Sequence, residues 1–142
     1  MEIKIGTNAE LIKASDELRK KVFIDEQGVP EEEIFDGLNL QAVHIVAFDG
    51  DKPVATARAL SCNGKSWRIG LVAVDRSRRG ENLGVKVVRT AIEHIISYGG
   101  KEILLTAQKE VCGFYEKFGF VQNGEVEVFE SGFILVPMKL CL

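Results

Sequence analysis

Hydrophobic and polar positions change period several times along the chain, and each change marks an element. Residues 3–5 form a short apolar run that reads as a strand. Thr7 or Asn8 can cap a helix behind it, because a short polar side chain accepts from the free N–H groups of a first turn. Leu11, Ser15, Leu18 and Val22 then recur at helical spacing between charged residues, which predicts a helix running to about Glu26. Gly28 and Pro30 break it. The polar, acidic stretch 31–41 predicts an irregular loop. Alternating or continuous apolar runs follow at residues 43–48, 53–60 and 66–74. They are separated by the turn signals Asp49-Gly50-Asp51 and Cys62-Asn63-Gly64-Lys65, so they predict an antiparallel meander.

After residue 74 the pattern changes. A basic, glycine-bearing loop leads into residues 83–98, where Gly84, Val87, Val88, Ala91, Ile92, Ile95 and Ile96 lie on one stripe of an amphipathic helix. Gly99-Gly100 can supply its left-handed C-terminal cap. Residues 103–107 read as a short buried strand, and a strand, helix and strand of these lengths imply a parallel, right-handed crossover. A short helix over 110–117 and two closing strands follow, one from Phe120 onward and one over 133–140, with a turn near Asn123-Gly124. The order βα, meander, βαβ, αββ predicts an α/β fold of the mixed α+β, three-layer kind. Its mixed sheet should hold about six to seven strands, with helices on both faces.

Composition narrows this picture rather than changing it. The 142 residues suit one domain, 1–142, long enough to bury a core without staples. With 46% hydrophobic and 27% charged residues, intrinsic disorder is a poor reading. The net charge of -3 gives no global attraction to nucleic acid, although Arg76-Ser77-Arg78-Arg79 is locally basic. Cys62, Cys112 and Cys141 show no disulfide spacing, and without a Cys-x-x-Cys pair or neighbouring histidines no metal site is expected. No leader pattern and no membrane-length apolar segment is visible, so a reducing cytoplasm is the expected location.

The candidate chemistry lies in Val72-Ala73-Val74-Asp75-Arg76-Ser77-Arg78-Arg79-Gly80-Glu81-Asn82-Leu83-Gly84. A strand runs into a basic loop that opens a long helix. The first N–H groups of a helix have no internal partners and carry the positive end of its dipole, so a pyrophosphate fits there. Gly80 allows close backbone approach, Gly84 leaves room one turn in, and Arg78 and Arg79 can supply charge. An ordinary strand-to-helix loop with solvated arginines is the competing reading. The Walker pattern is absent, and the Gly80 to Gly84 spacing is not that of the Rossmann fingerprint.

These residues resemble the acetyl-CoA signature of the GNAT superfamily of N-acyltransferases, Arg/Gln-x-x-Gly-x-Gly/Ala. Arg79 stands at its first position and Gly84 at its last. Asn82 replaces the middle glycine, and Asn tolerates positive φ better than most residues. Phe114-Tyr115-Glu116-Lys117-Phe118-Gly119-Phe120 resembles the family's F-Y-x-x-x-G-F segment. Arg19 through Glu26-Gln27-Gly28-Val29-Pro30, followed by Asp36, Asn39, Ala42 and His44, is similar to the ElaA-type branch, with Asn39 in place of an aspartate.

The resemblance implies acetyl-CoA as co-substrate and a primary amine, on a small molecule or a peptide, as acceptor. Val72, Ala73 and Val74 would bind the pantetheine arm through their backbone. Arg79, Gly80, Glu81, Asn82, Leu83 and Gly84 would hold the pyrophosphate, and Gln108 a pantetheine amide. Tyr115 is the expected proton donor to the leaving sulfur, against the plainer reading of a packed aromatic. Glu26, Asp36 and His44 are the candidate general bases, Glu26 against the plainer reading of a solvated helix-end carboxylate. Gln27, Asp36 and His44 are expected at the acceptor, although His44 could equally be a strand-start histidine with local hydrogen bonds. Glu31-Glu32-Glu33 reads as a solvated acidic face that could instead attract a cationic amine. A CoA-binding regulatory domain without catalysis is the alternative function, and a homodimer through the apolar last strand stays open.

Overall fold

The first helix begins where a cap was expected: the Asn8 side chain accepts from the Leu11 N–H at 2.9 Å. In the computed structural model, which describes residues 1–130 and 132–142, strand β1 (Glu2–Gly6) leads into this helix, α1 (Ala9–Arg19). The helix continues as a wider π-helical segment, Lys20–Glu26, and stops before Gly28, whose φ is 72°. The predicted extent to Glu26 is found, but its last part winds more loosely. The stretch expected as a loop contains a four-residue helix, α2 (Glu31–Ile34), and a 3-10 turn at Asn39–Gln41. Pro30 stands just before α2, and three glutamates suit its positive end. Ile34, only 5% exposed, anchors it. Periodicity cannot show so short a helix.

The meander is β2 (Ala42–Asp49), β3 (Lys52–Ser61) and β4 (Ser66–Val74), each antiparallel to the next. The long helix α3 (Leu83–Ser97) and strand β5 (Glu102–Gln108) complete the crossover, with β5 parallel to β4. A 3-10 turn at Lys109–Val111 precedes α4 (Cys112–Glu116), shorter than the predicted 110–117. The closing strands are β6 (Val121–Gln122), β7 (Glu127–Val128) and β8 (Ile134–Cys141). Two short strands stand where one was expected, because β8 carries Pro137. Its carbonyl accepts from the Asn123 N–H at 3.0 Å, but it has no N–H to return.

One eight-stranded sheet results, in the order β1-β2-β3-β4-β5-β8-β6, with β7 also on β8. Residues of β2 and β3 are buried on both faces. Ile45, Ala47, Ala55, Ala57 and Ala59 pack with Leu83, Val87, Ala91 and Ile95 of α3. His44 and Thr56 face the other way and bond to Arg19 and Ser15 of α1. Helices therefore cover both faces, as the pattern predicted. Small residues at these strand positions let two helices approach one sheet.

Two features of β4 create the site. Its parallel pairing with β5 covers only Ser66–Arg68 against Glu102–Leu104, after which the strands part. Opposite Ala57, β4 inserts one extra residue at Leu71 and Val72, and Leu71 takes φ 50°. Such a bulge bends and twists its strand. Beyond Arg68, the edge of β4 that faces β5 has no strand partner among the described residues.

Candidate active site

Where β4 and β5 part, a cleft of about 590 Å³ opens. That size suits a small-molecule ligand. Residues 70–72 and 106–108 form its floor. Phe23, Gln27, Pro30 and Glu33 form one wall, and Tyr115, Phe129 and Phe133 the other. Glu33 is the only charged residue among the described residues that line it. Gln108 donates from Nε2 to Gln27 Oε1 at 3.2 Å, joining the floor to the first wall.

The basic loop leaves β4 at Asp75, which is 2% exposed. Its carboxylate accepts from the Ser77 N–H at 3.0 Å and the Ser77 hydroxyl at 2.8 Å. Lys21 Nζ, from the π-helical segment, donates to it at 3.0 Å. The bond from Lys21 and those from Ser77 hold this carboxyl well below the usual range. Gly80 then takes φ 90° and Asn82 φ 61°, so both turn through the left-handed region. The first bond inside α3 runs from the Lys86 N–H to the Asn82 carbonyl, at 3.2 Å. The N–H groups of Leu83, Gly84 and Val85 come before it and are the free donors of a helix start. Leu83 has its side chain in the core, leaving only its backbone to the loop. A Cβ on Gly84 would lie 3.4 Å from the Phe114 ring, so this glycine serves packing of α4 on α3.

Two arginines of the loop are held in ion pairs. Arg79 donates to Glu26 at 2.7 and 2.9 Å and to the Val74 carbonyl at 3.1 and 3.3 Å. It ties the end of β4 to the π-helical segment. Arg78 pairs with Glu81 and Asp49. Arg76 is exposed. Val72 lines the cleft, while Ala73 turns its side chain toward Leu18 and Val22 beneath α1.

Tyr115 reaches the cleft from α4, with its ring edge-on to Phe114 and Phe120. Burial pushes its hydroxyl up to about 12. The group stays protonated across the neutral range and is a donor rather than a base. Glu26, an expected base, is bonded to Arg79. The Arg79 guanidinium holds its carboxyl below the usual value, and a carboxylate so held is a weak proton acceptor.

Asp36 and His44 are not in the cleft. Asp36 accepts from Arg58 at 2.7 and 2.9 Å. His44 is fully buried, with Nδ1 3.2 Å from Arg19 and Nε2 2.9 Å from the Asn39 carbonyl. Asn39 in turn donates to Asp16 at 3.1 Å. Burial in this network moves His44 below its usual value and lowers Arg19 to about 10. These residues pin stretch 36–41 to α1 and the sheet. Their sequence spacing could not distinguish that from ligand contact. Leu71, Phe129 and Phe133 carried no sequence signal as site residues: one sits at a bulge, and two belong to a distant hairpin.

A mixed sheet that splays between two parallel strands, with a basic loop opening a helix beside the splay, defines the GNAT class of acetyltransferase fold. Residues 11–142 match the acetyltransferase (GNAT) domain family, and the chain belongs to it. It is 33% identical over 133 residues to the uncharacterized N-acetyltransferase YjcF of Bacillus subtilis, covering 93% of this chain and 94% of that one. It is 33% identical over 114 residues to protein ElaA of Escherichia coli, covering 78% and 74%. The crystal structure of Escherichia coli ElaA superposes with a TM-score of 0.87 over 97% of each chain, at 28% identity. An aminoglycoside 6'-N-acetyltransferase complexed with coenzyme A superposes at 0.79 over 99% of this chain and 97% of that one; at 19% identity it shares the fold alone.

Proposed function

We propose that this GNAT acetyltransferase moves an acetyl group from acetyl-CoA to a primary amine by direct attack of the amine on the thioester. The carrying observation is that the unpaired edge of β4, bent by the bulge at Leu71, and the free N–H groups at the start of α3 belong to one strand-loop-helix run. An extended amide chain fits the first and a pyrophosphate the second.

Acetyl-CoA supplies an activated thioester. Residues 72–74 present backbone groups to its pantetheine arm, and Gln108 stands beside that arm. Gly80, Asn82, Leu83 and Gly84 present backbone N–H groups to the diphosphate. Arg79 and Glu81 shape this loop through their ion pairs, with Arg79 also braced on the Val74 carbonyl. The extra residue at the bulge turns backbone toward the cleft, and an N–H donor there opposes charge growing on the thioester oxygen. One such donor contributes about 3 kcal/mol. As the C–N bond forms and the C–S bond breaks, Tyr115 donates to the sulfur. The amine loses its proton to water at the open mouth, because Glu26 is held by Arg79. Gln27, bonded to Gln108, lies on the acceptor side.

The tie between Glu26 and Arg79 also favours a second reading, a domain that binds CoA without turnover. Calorimetric titration with acetyl-CoA, combined with thiol release in the presence of amines, separates the two. Tyr115→Phe should lower turnover about 100-fold while leaving acetyl-CoA affinity unchanged. Full activity in that variant removes Tyr115 from the mechanism. Binding without thiol release for any amine favours the regulatory domain, and no binding defeats both readings.

A further inference from the structure

The acceptor wall of the cleft is apolar and carries one free charge. Phe23, Pro30 and Ile34 come from the segment that follows α1, and Phe129, Phe133 and Leu135 from the β7–β8 hairpin. Phe129 is 42% exposed, more than core packing explains. The acidic stretch could attract a cationic amine, but only one of its carboxylates lines the cleft. Glu26 is taken by Arg79 and Asp36 by Arg58. Glu31 and Glu32 do not line the cleft. Glu33 does, and among the described residues it is in no ion pair. Polar side chains that could replace water around a hydroxyl-rich acceptor are few, and Gln27 and Gln108 already bond to each other.

We infer that the acceptor is a small primary amine, singly charged in solution, on an aryl or alkyl body: Glu33 draws its ammonium into the cleft, where the proton is lost to water before the nitrogen attacks, and the body lies along Phe129, Phe133 and Pro30. This rests on the acetyl-transfer reading above. An apolar body gains from leaving water along such a wall, while a polycation or a sugar would lose hydration without finding partners. Glu33 is a specificity-determining residue in this arrangement. It lies on the exposed side of a four-residue helix, so replacing it leaves the core intact.

The test is a thiol-release assay on an acceptor panel, with acetyl-CoA binding measured on the same preparation. The panel holds propylamine through hexylamine, 2-phenylethylamine, ethanolamine, spermidine and kanamycin. In the alkyl series kcat/KM should rise about fourfold per methylene until the wall is covered. 2-Phenylethylamine should exceed spermidine and kanamycin. Glu33→Gln should raise its KM about three- to fivefold with little change in kcat, and Phe133→Ala should flatten the alkyl series. Spermidine or kanamycin as the best acceptor, or a Glu33→Gln enzyme with unchanged KM, overturns the inference. So does a protein that binds acetyl-CoA yet acetylates none of the apolar amines. All three outcomes leave cofactor binding standing, whereas absence of acetyl-CoA binding overturns the inference together with the reading beneath it.

Discussion

Asp75 tests most directly how the phosphate loop is held. It accepts from the Ser77 N–H, the Ser77 hydroxyl and Lys21, and its side chain is 3% exposed; Lys52 Nζ lies 3.6 Å away. Asp75→Ala removes all of these. The capping bond to a backbone N–H contributes about 1 kcal/mol. The hydroxyl bond contributes about another 1 kcal/mol. Lys21 is itself 57% exposed, so that pair is screened and adds about 0.5 kcal/mol. Urea denaturation at pH 7 should show a loss of about 2–3 kcal/mol. Acetyl-CoA should bind about tenfold more weakly if roughly 1.4 kcal/mol of that order is needed by the loop. The pH dependence has a definite sign. The folded protein holds the Asp75 carboxyl below its ordinary value, so it binds the proton less readily than the unfolded chain does. This stabilisation is complete above the unfolded value of about 3.9 and fades as pH falls further. The gap between wild type and Asp75→Asn, which keeps an acceptor but loses the charge, should therefore be constant from pH 7 to about 5 and shrink below about 4. A loss under 0.5 kcal/mol for Asp75→Ala, or a gap that persists in acid, would refute this account.

Asn82 makes no side-chain cap bond, so substitutions there report the backbone alone. Asn82→Gly should stay within about 0.5 kcal/mol of wild type in thermal melts. Asn82→Val should cost about 1–2 kcal/mol and weaken acetyl-CoA binding. Glu26→Gln should change kcat less than about threefold if water takes the proton as proposed; a hundredfold drop would make Glu26 the base. Burial chiefly holds His44 below its usual value, with Arg19 and Arg58 adding to it, against the pull of the Asn39 carbonyl and, less, of Asp16. Its share of stability is complete above the unfolded value of about 6.5 and declines as pH falls. Denaturation midpoints should drop between about pH 6.5 and 5 in wild type and less in His44→Gln; equal slopes would show that His44 does not carry the effect.

The long elements were legible because their signals are local. Leu11, Leu18 and Val22 repeat at helical spacing, as do Val87, Ala91 and Ile95, and the turns at Asp49-Gly50 and Asn63-Gly64 separate the strands. The loop from Asp75 to Gly84 was legible because a strand, a basic loop and a helix start are consecutive in the chain. So was the left-handed turn at Asn82, since the side chain that tolerates positive φ is written at that position. Tertiary structure alone decided which charges meet. Arg79 reaches Glu26 across 53 positions, and Arg58 reaches Asp36 across 22. Those pairings tie Glu26 and Asp36 to arginines, and folding buries His44 outside the cleft. Glu33 lines the same cleft as Phe129 and Phe133, which come from a hairpin about a hundred residues away, and among the described residues it is in no ion pair. Hydrophobic period and turn chemistry depend on neighbours in sequence, but the state of a charge depends on what folding places within a few ångströms of it.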